Sequence, residues 1–96
     1  MTEVQLNKII NEIRTEQQIS PFISDESIIN YVKEGIYDIN DSSGFEIDYS
    51  TDLIARSLLK NYVLYANHKR LAEFKELYTP DYAKLQAKYY DYTNIS

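Results

Sequence analysis

The stretch Leu53-Ile-Ala-Arg-Ser-Leu-Leu-Lys-Asn-Tyr-Val-Leu-Tyr65 decides the fold class. Its apolar residues Leu53, Ile54, Leu58, Leu59, Tyr62, Val63, Leu64 and Tyr65 fall almost all round a helical wheel, not along one stripe. A helix that is apolar on most faces is a central one, enclosed by other helices or by neighbouring subunits. Ser50 or Thr51 is expected to cap it, with Asp52 in its first turn, where the helix dipole favours an anion. The pattern runs on to Leu77 or Tyr78, with a kink expected near Asn67-His68.

Downstream, Thr79-Pro80-Asp81 reads as a helix start, with an N-cap Thr, Pro at the first helical position and an acid at the second. The helix it opens carries Tyr82, Leu85, Tyr89 and Tyr92 along one stripe, opposite Asp81, Lys84, Lys88 and Asp91. Upstream, Phe45-Glu-Ile-Asp-Tyr49 alternates apolar and polar residues, but has no partner strand. It is expected to be an extended connector with its aromatic ends tucked into the core. Before it, Asp41-Ser-Ser-Gly44 closes a second helix capped by Ser24, whose buried face holds Ile28, Val32, Gly35 or Ile36, and Ile39. Ile19-Ser-Pro-Phe22 separates that helix from a first one over about Thr2–Gln18, with a Thr2/Gln5 capping box and a Leu6, Ile9, Ile10, Ile13 stripe. The expected fold is all-α: one domain over residues 1–96, a small bundle of about four helices, with 92–96 frayed.

Composition agrees with a folded chain. Of the 96 residues 44% are hydrophobic and 26% charged, close to the globular average of roughly 45–50% and 25%. With no Cys there is neither a disulfide framework nor a thiolate metal site, and two Gly leave no phosphate-cradling loop. No apolar run reaches the roughly 18 residues of a membrane span, and the opening MTEVQLNKIINEIR lacks a signal-peptide pattern, so a protein without membrane contact is expected. A net charge of −5 argues against nucleic-acid binding, which needs a basic face. The charge is unevenly placed. Residues 1–48 hold three Lys/Arg against ten Asp/Glu, a net −7, and residues 49–96 hold seven against five, a net +2. Complementary halves would set register in head-to-tail self-association, whereas the plainer reading is solvation of two amphipathic helices.

Candidate catalytic groups fail one at a time. His68 is the only histidine and has no dyad partner in the sequence, so it is expected at the surface or an interface of the third helix. Glu12 and Glu16 lie one helical turn apart and could share a proton or metal, but no third ligand accompanies them and a solvated face is the simpler account. Asp38–Tyr49 invites comparison with a calcium-binding EF-hand loop, yet Gly44 is seventh rather than sixth and the twelfth residue is Tyr49, not Glu. No catalytic, metal or cofactor site is expected, and the chain is not expected to be an enzyme.

Tyrosine stands out instead, with ten residues against three Phe and no Trp. Tyrosine combines apolar area with a hydroxyl that tolerates water, which enriches it at interfaces. Tyr62 and Tyr65 are expected at the core edge. Tyr78, Tyr82, Leu85, Tyr89 and Tyr92 are expected to bind a partner, because the last helix of so short a chain has little core left to fill.

Ser24-Asp-Glu and then Ile28-Ile-Asn-Tyr-Val32, a Ser43-Gly44 stop, a linker, and Asp52 opening the helix with Leu58-Leu-Lys-Asn-Tyr-Val-Leu-Tyr65 together resemble the head–tail connector (adaptor, head-completion) proteins of long-tailed bacteriophages and prophages. The resemblance covers roughly residues 1–90 and consists of hydrophobic pattern plus one turn. It departs where many relatives carry Arg or Asn-Arg soon after the long helix's tyrosine, since here the chain reads Tyr65-Ala-Asn-His-Lys-Arg70. The resemblance implies a structural virion protein forming a homo-oligomeric ring below the portal protein and bridging it to the tail or a stopper protein. It also implies residence in the bacterial cytoplasm during assembly and then in the virion neck, with the terminal helix docked on the portal. The alternative from a different class is a small helical regulatory module that binds one partner protein as a monomer or dimer.

Overall fold

The computed structural model describes the backbone of residues 1–94 and the side chains of residues 1–90. The described residues form five helices and no strand: α1 (Glu3–Glu16), α2 (Asp25–Ser43), α3 (Leu53–Asn67), α4 (Leu71–Leu77) and α5 (Thr79–Asn94). The fold is all-helical as expected, with one helix more than the four anticipated.

The extra helix comes from a full stop where a kink was expected. His68 ends α3 and Lys69 adopts the left-handed conformation at φ 61°. The Arg70 amide then donates to the Tyr65 carbonyl at 2.8 Å and the Lys69 amide to the Ala66 carbonyl at 3.1 Å. These two bonds make a Schellman stop, which usually takes Gly at the left-handed position. The end of α1 is built similarly around Gln18 at φ 49°, with the Ile19 amide donating to the Arg14 carbonyl at 3.1 Å.

Local chemistry accounts for the other helix ends. The Thr2 hydroxyl accepts from the Gln5 amide at 3.1 Å while the Gln5 side chain accepts from the Thr2 amide at 2.9 Å, completing the capping box. Ser24 caps α2 through the Ser27 amide, and Gly44 closes that helix at φ 70°. Two expected caps are corrected. Asp52, not Ser50 or Thr51, caps α3 by accepting from the Ala55 amide at 3.0 Å. Ser50 is already held by Asp48, whose carboxylate accepts from both its amide and its hydroxyl. Thr79 is the first residue of α5, not its cap, and its hydroxyl donates to the Lys75 carbonyl at 2.7 Å. The carbonyls ending α4 need donors, and this hydroxyl supplies one.

Side-chain pairs set the helix directions. Gln5–Ser50, Glu12–Arg56 and Glu16–Lys60 lay α1 beside α3 in the same sense. Tyr82–Asp38 and Gln86–Ser42 lay α5 along α2. Tyr89–Asp52 and Tyr65–Tyr78 run α5 against α3. The result is an up-and-down packing 47 × 30 × 18 Å in extent, with a radius of gyration of 13.5 Å. α2 packs tightly on α3 at Gly35, where an added Cβ would lie 2.6 Å from Leu59 Cδ1 and 2.9 Å from Tyr62 Cδ1. Gly35, rather than Ile36, is therefore the buried position of that turn.

The core takes Ile9, Ile10 and Ile13 from α1, Ile28, Val32 and Ile39 from α2, and Leu58, Leu59, Tyr62 and Val63 from α3. The connector behaves as expected: Ile47 and Tyr49 are buried, and Phe45 stacks on Tyr89 with ring centroids 4.4 Å apart.

Candidate protein-docking surface

The tyrosine stripe of α5, expected to face a partner, faces the chain's own interior. Tyr82, Leu85 and Tyr89 are only 9%, 1% and 7% exposed. Tyr78 is half-buried, stacked on Phe74 at 4.9 Å. The side chain of Tyr92 lies outside the described side chains, and the expected fraying is corrected over 92–94, where α5 continues to Asn94, while residues 95–96 lie outside the described residues. The physical reason is that the helices before α5 leave an apolar trough that only α5 fills. Phe74 sits at its centre, with Tyr62 and Tyr82 edge-on at 5.5 and 6.1 Å.

The hydroxyls explain why these positions carry Tyr and not Phe. Tyr82 donates to Asp38 Oδ2 and Tyr89 to Asp52 Oδ2, each at 2.5 Å. A lysine completes each site: Lys75 pairs with Asp38, and Lys88 pairs with Asp52 at 2.9 Å. Each ammonium also lies over the ring of the same tyrosine, at 4.9 Å for Lys75 on Tyr82 and 5.4 Å for Lys88 on Tyr89. Two Asp–Tyr–Lys clamps, their tyrosines one heptad apart on α5 and the first lysine on α4, thus fasten α5 to α2 and to the start of α3. Burial and then the Asp38 carboxylate push the Tyr82 hydroxyl well above its ordinary range. For Asp52 burial pushes the carboxyl up, but the Ala55 amide, the Tyr89 hydroxyl and Lys88 outweigh it and hold it below the usual carboxylate range. Tyr49 is a third case, donating to Asn40 Oδ1 at 2.8 Å.

Part of the charge split is consumed inside the chain, where Glu12, Glu16 and Asp38 are paired. Arg56 pairs with Glu12, Lys60 with Glu12 at 3.5 Å and Glu16 at 2.7 Å, and Lys75 with Asp38. Each pair joins an acid of the first half to a base of the second. Glu12 and Glu16 therefore meet Arg56 and Lys60 of α3 instead of standing only on a solvated face. No group of three or more His, Cys, Asp or Glu side chains that could hold a metal occurs among the described residues. In the loop compared with an EF-hand, Asp38 is committed to its clamp, Asp48 to the Ser50 turn, and Asn40 to Tyr49 and the Ile47 amide. His68 is exposed at the α3 stop, as expected of a surface residue. No described helix is long and apolar enough to cross a membrane.

Apart from scattered exposed side chains such as Tyr37, Leu77 and Tyr90, the apolar surface left uncovered is at the first turn of α3. Leu53 is 72% exposed, Ile54 is half-exposed, and Val4 of α1 stands out beside them. A groove of about 320 Å³ between α3 and α5 is lined by Leu53, Ile54, Leu58, Tyr78, Asp81 and Lys84, with Ser57 and Asn61. A second groove, between α1 and α3, shares Leu53 and adds Val4, Lys8 and Arg56. Leu53 thus bridges two adjoining hollows, making one continuous surface. Lys8 and Lys84 flank it and make no ion pair among the described residues. The sequence marked Leu53 and Ile54 as part of an all-round apolar helix, but did not single them out as the contact surface. Phe22, which in the sequence is only part of a helix break, is 96% exposed.

The fold and this surface define a small helical protein with a solvent-facing apolar patch on its central helix. Comparison with protein-family models, with curated proteins and with solved structures finds no match to this chain.

Proposed function

We propose that this chain is a structural assembly protein, a head–tail connector subunit that forms a ring of copies below a portal and bridges it to a tail or stopper protein. The observation that carries this is the uncovered apolar face of α3. A helix apolar on most faces needs covering on all of them, and α1, α2 and α5 leave the Leu53/Ile54 side open. Exposed apolar surface of this kind, rimmed by polar residues, marks protein contact sites. In this reading the α3 face replaces the α5 stripe as the contact surface. Assembly takes place in a bacterial cytoplasm and the product sits in the virion neck.

A second reading, a regulatory module binding one protein partner as a monomer or dimer, is favoured by one observation. Pairing of Glu12, Glu16 and Asp38 within the chain removes much of the opposite-sign charge that head-to-tail ring contacts would use. Sedimentation velocity of the chain, alone and mixed with the portal encoded in the same genome, separates the two. The connector predicts ring-sized species in at least one of these samples. A monomer or dimer in both contradicts it.

A further inference from the structure

The loop between α1 and α2 presents Phe22 to solvent on a stiff support. Ile19 and Ile23 on either side of it pack against the core, and Pro21 precedes it. Arg14 braces the turn from beneath. Its guanidinium donates to the Asp25 carboxylate at 2.8 Å, to the Ile23 carbonyl at 2.5 Å and to the Ser20 carbonyl at 3.4 Å. A phenylalanine so placed has not escaped the core through local disorder, because the backbone carrying it is tied down on both sides.

We propose that Phe22 of one copy inserts into the α3–α5 groove of a second copy, against Leu53, Ile54, Leu58 and Tyr78. This deepens the self-assembly reading above and rests on it. The groove suits a single aromatic side chain: its volume of about 320 Å³ is at the low end of the roughly 300–1,000 Å³ of ligand pockets, and its floor is apolar. Charge complementarity favours a second copy as the occupant. Asp25 and Glu26 follow Phe22 at the start of α2, and Glu26 makes no ion pair. Lys84, at the groove rim, also lacks an ion pair, although Asp81 on the same rim contributes one opposing charge. Glu26 is therefore matched to Lys84 when Phe22 is seated.

Where the same partner does not return it, a loop-to-groove contact is head-to-tail, and repeating it gives a closed ring or an open filament. One phenylalanine buries only about 150–250 Å², far below the roughly 1,200–2,000 Å² of a stable interface. Pairs are therefore weak, and ring closure strengthens them by engaging every copy twice.

The test mixes two defective copies, followed by sedimentation velocity. Phe22→Ser lacks the knob and Ile54→Glu lacks the hole; both positions are exposed, and circular dichroism verifies that each variant keeps its helices. Each alone should lose self-association by about tenfold or more, as truncation of a central anchor does. Mixed together, they should form a 1:1 dimer that grows no further, since only one complementary pair of surfaces remains. Glu26→Lys and Lys84→Glu should each weaken association, and the double variant should restore it. If the wild-type chain associates but Phe22→Ser associates equally well, the insertion is wrong while the assembly reading stands. A wild-type chain that remains monomeric at its highest soluble concentration overturns the insertion, and one that remains monomeric with the portal as well overturns both.

Discussion

Replacing Asp52 with Ala should cost about 2–4 kcal/mol, because this carboxylate does two jobs with its two oxygens. Oδ1 caps α3 through the Ala55 amide, and Oδ2 receives the Tyr89 hydroxyl and the Lys88 ammonium. Loss of an N-cap costs about 1 kcal/mol, and leaving the Tyr89 hydroxyl without its acceptor about 1–3 kcal/mol more. For a chain of this length that lowers Tm by at least about 8 °C. Asp52→Asn separates the two jobs, since Asn caps as well as Asp but lacks the charge, and it should retain roughly half the lost stability. Tyr89→Phe should cost about 1–2 kcal/mol while keeping the stack on Phe45. Urea denaturation with unchanged m reads these values, and a double-mutant cycle between Asp52→Ala and Tyr89→Phe should show coupling of at least about 0.5 kcal/mol. Acid adds a second check. The Asp52 carboxyl is held below its ordinary value in the folded chain. Its contribution is therefore present above the unfolded value of about 3.9 and is lost as pH falls through the folded value. Asp52→Asn should flatten that part of the acid-unfolding curve. Additive effects in the cycle, or a cost below about 0.5 kcal/mol for Asp52→Ala as at an ordinary surface site, would refute the clamp.

Three further outcomes follow from the packing. Tyr82→Ser combined with Tyr89→Ser should unfold the chain or leave it molten, seen as lost near-ultraviolet circular dichroism; a fully folded double variant would return the stripe to the surface. Gly35→Ala should lose about 1 kcal/mol in thermal melts, because crowding Leu59 and Tyr62 costs about 1–3 kcal/mol and outweighs the helix-propensity gain of up to about 1 kcal/mol. Lys69→Gly should raise stability by about 0.5 kcal/mol by relieving the left-handed backbone, whereas Gly at Asn67, inside α3, should lower it.

Helix content and most helix ends were legible because they are set by neighbours in the chain. The Thr2/Gln5 box, the Ser24 cap and the Gly44 stop each involve groups within five residues of one another. The α3–α4 break was half-visible: the sequence placed a disturbance at Asn67-His68, but Lys69 and Gln18 take the conformation for which Gly is the usual signal. Asp52 was hidden behind Ser50 and Thr51, all three being good caps, because nothing local shows that Asp48 has already claimed Ser50. The α5 stripe misled for a different reason. A tyrosine at helical spacing reads the same whether its hydroxyl meets water or a carboxylate, and the acceptors Asp38 and Asp52 are 44 and 37 residues away. The charge split is ambiguous likewise, since a sequence cannot tell whether complementary halves meet within one copy or between two. The exposed apolar surface of α3 was legible only as an excess of apolar residues, which does not show which side the chain's own helices leave open.

The central claim is that the chain works by self-association through the uncovered face of α3. Light scattering of the wild type and of Ile54→Glu over a concentration series tests it most directly. The wild-type molar mass should climb with concentration well above the 11.3 kDa of one copy, while Ile54→Glu stays there with its helices intact. A wild type fixed at the monomer mass throughout, both alone and mixed with the portal, or an Ile54→Glu chain that associates as the wild type does, would contradict it.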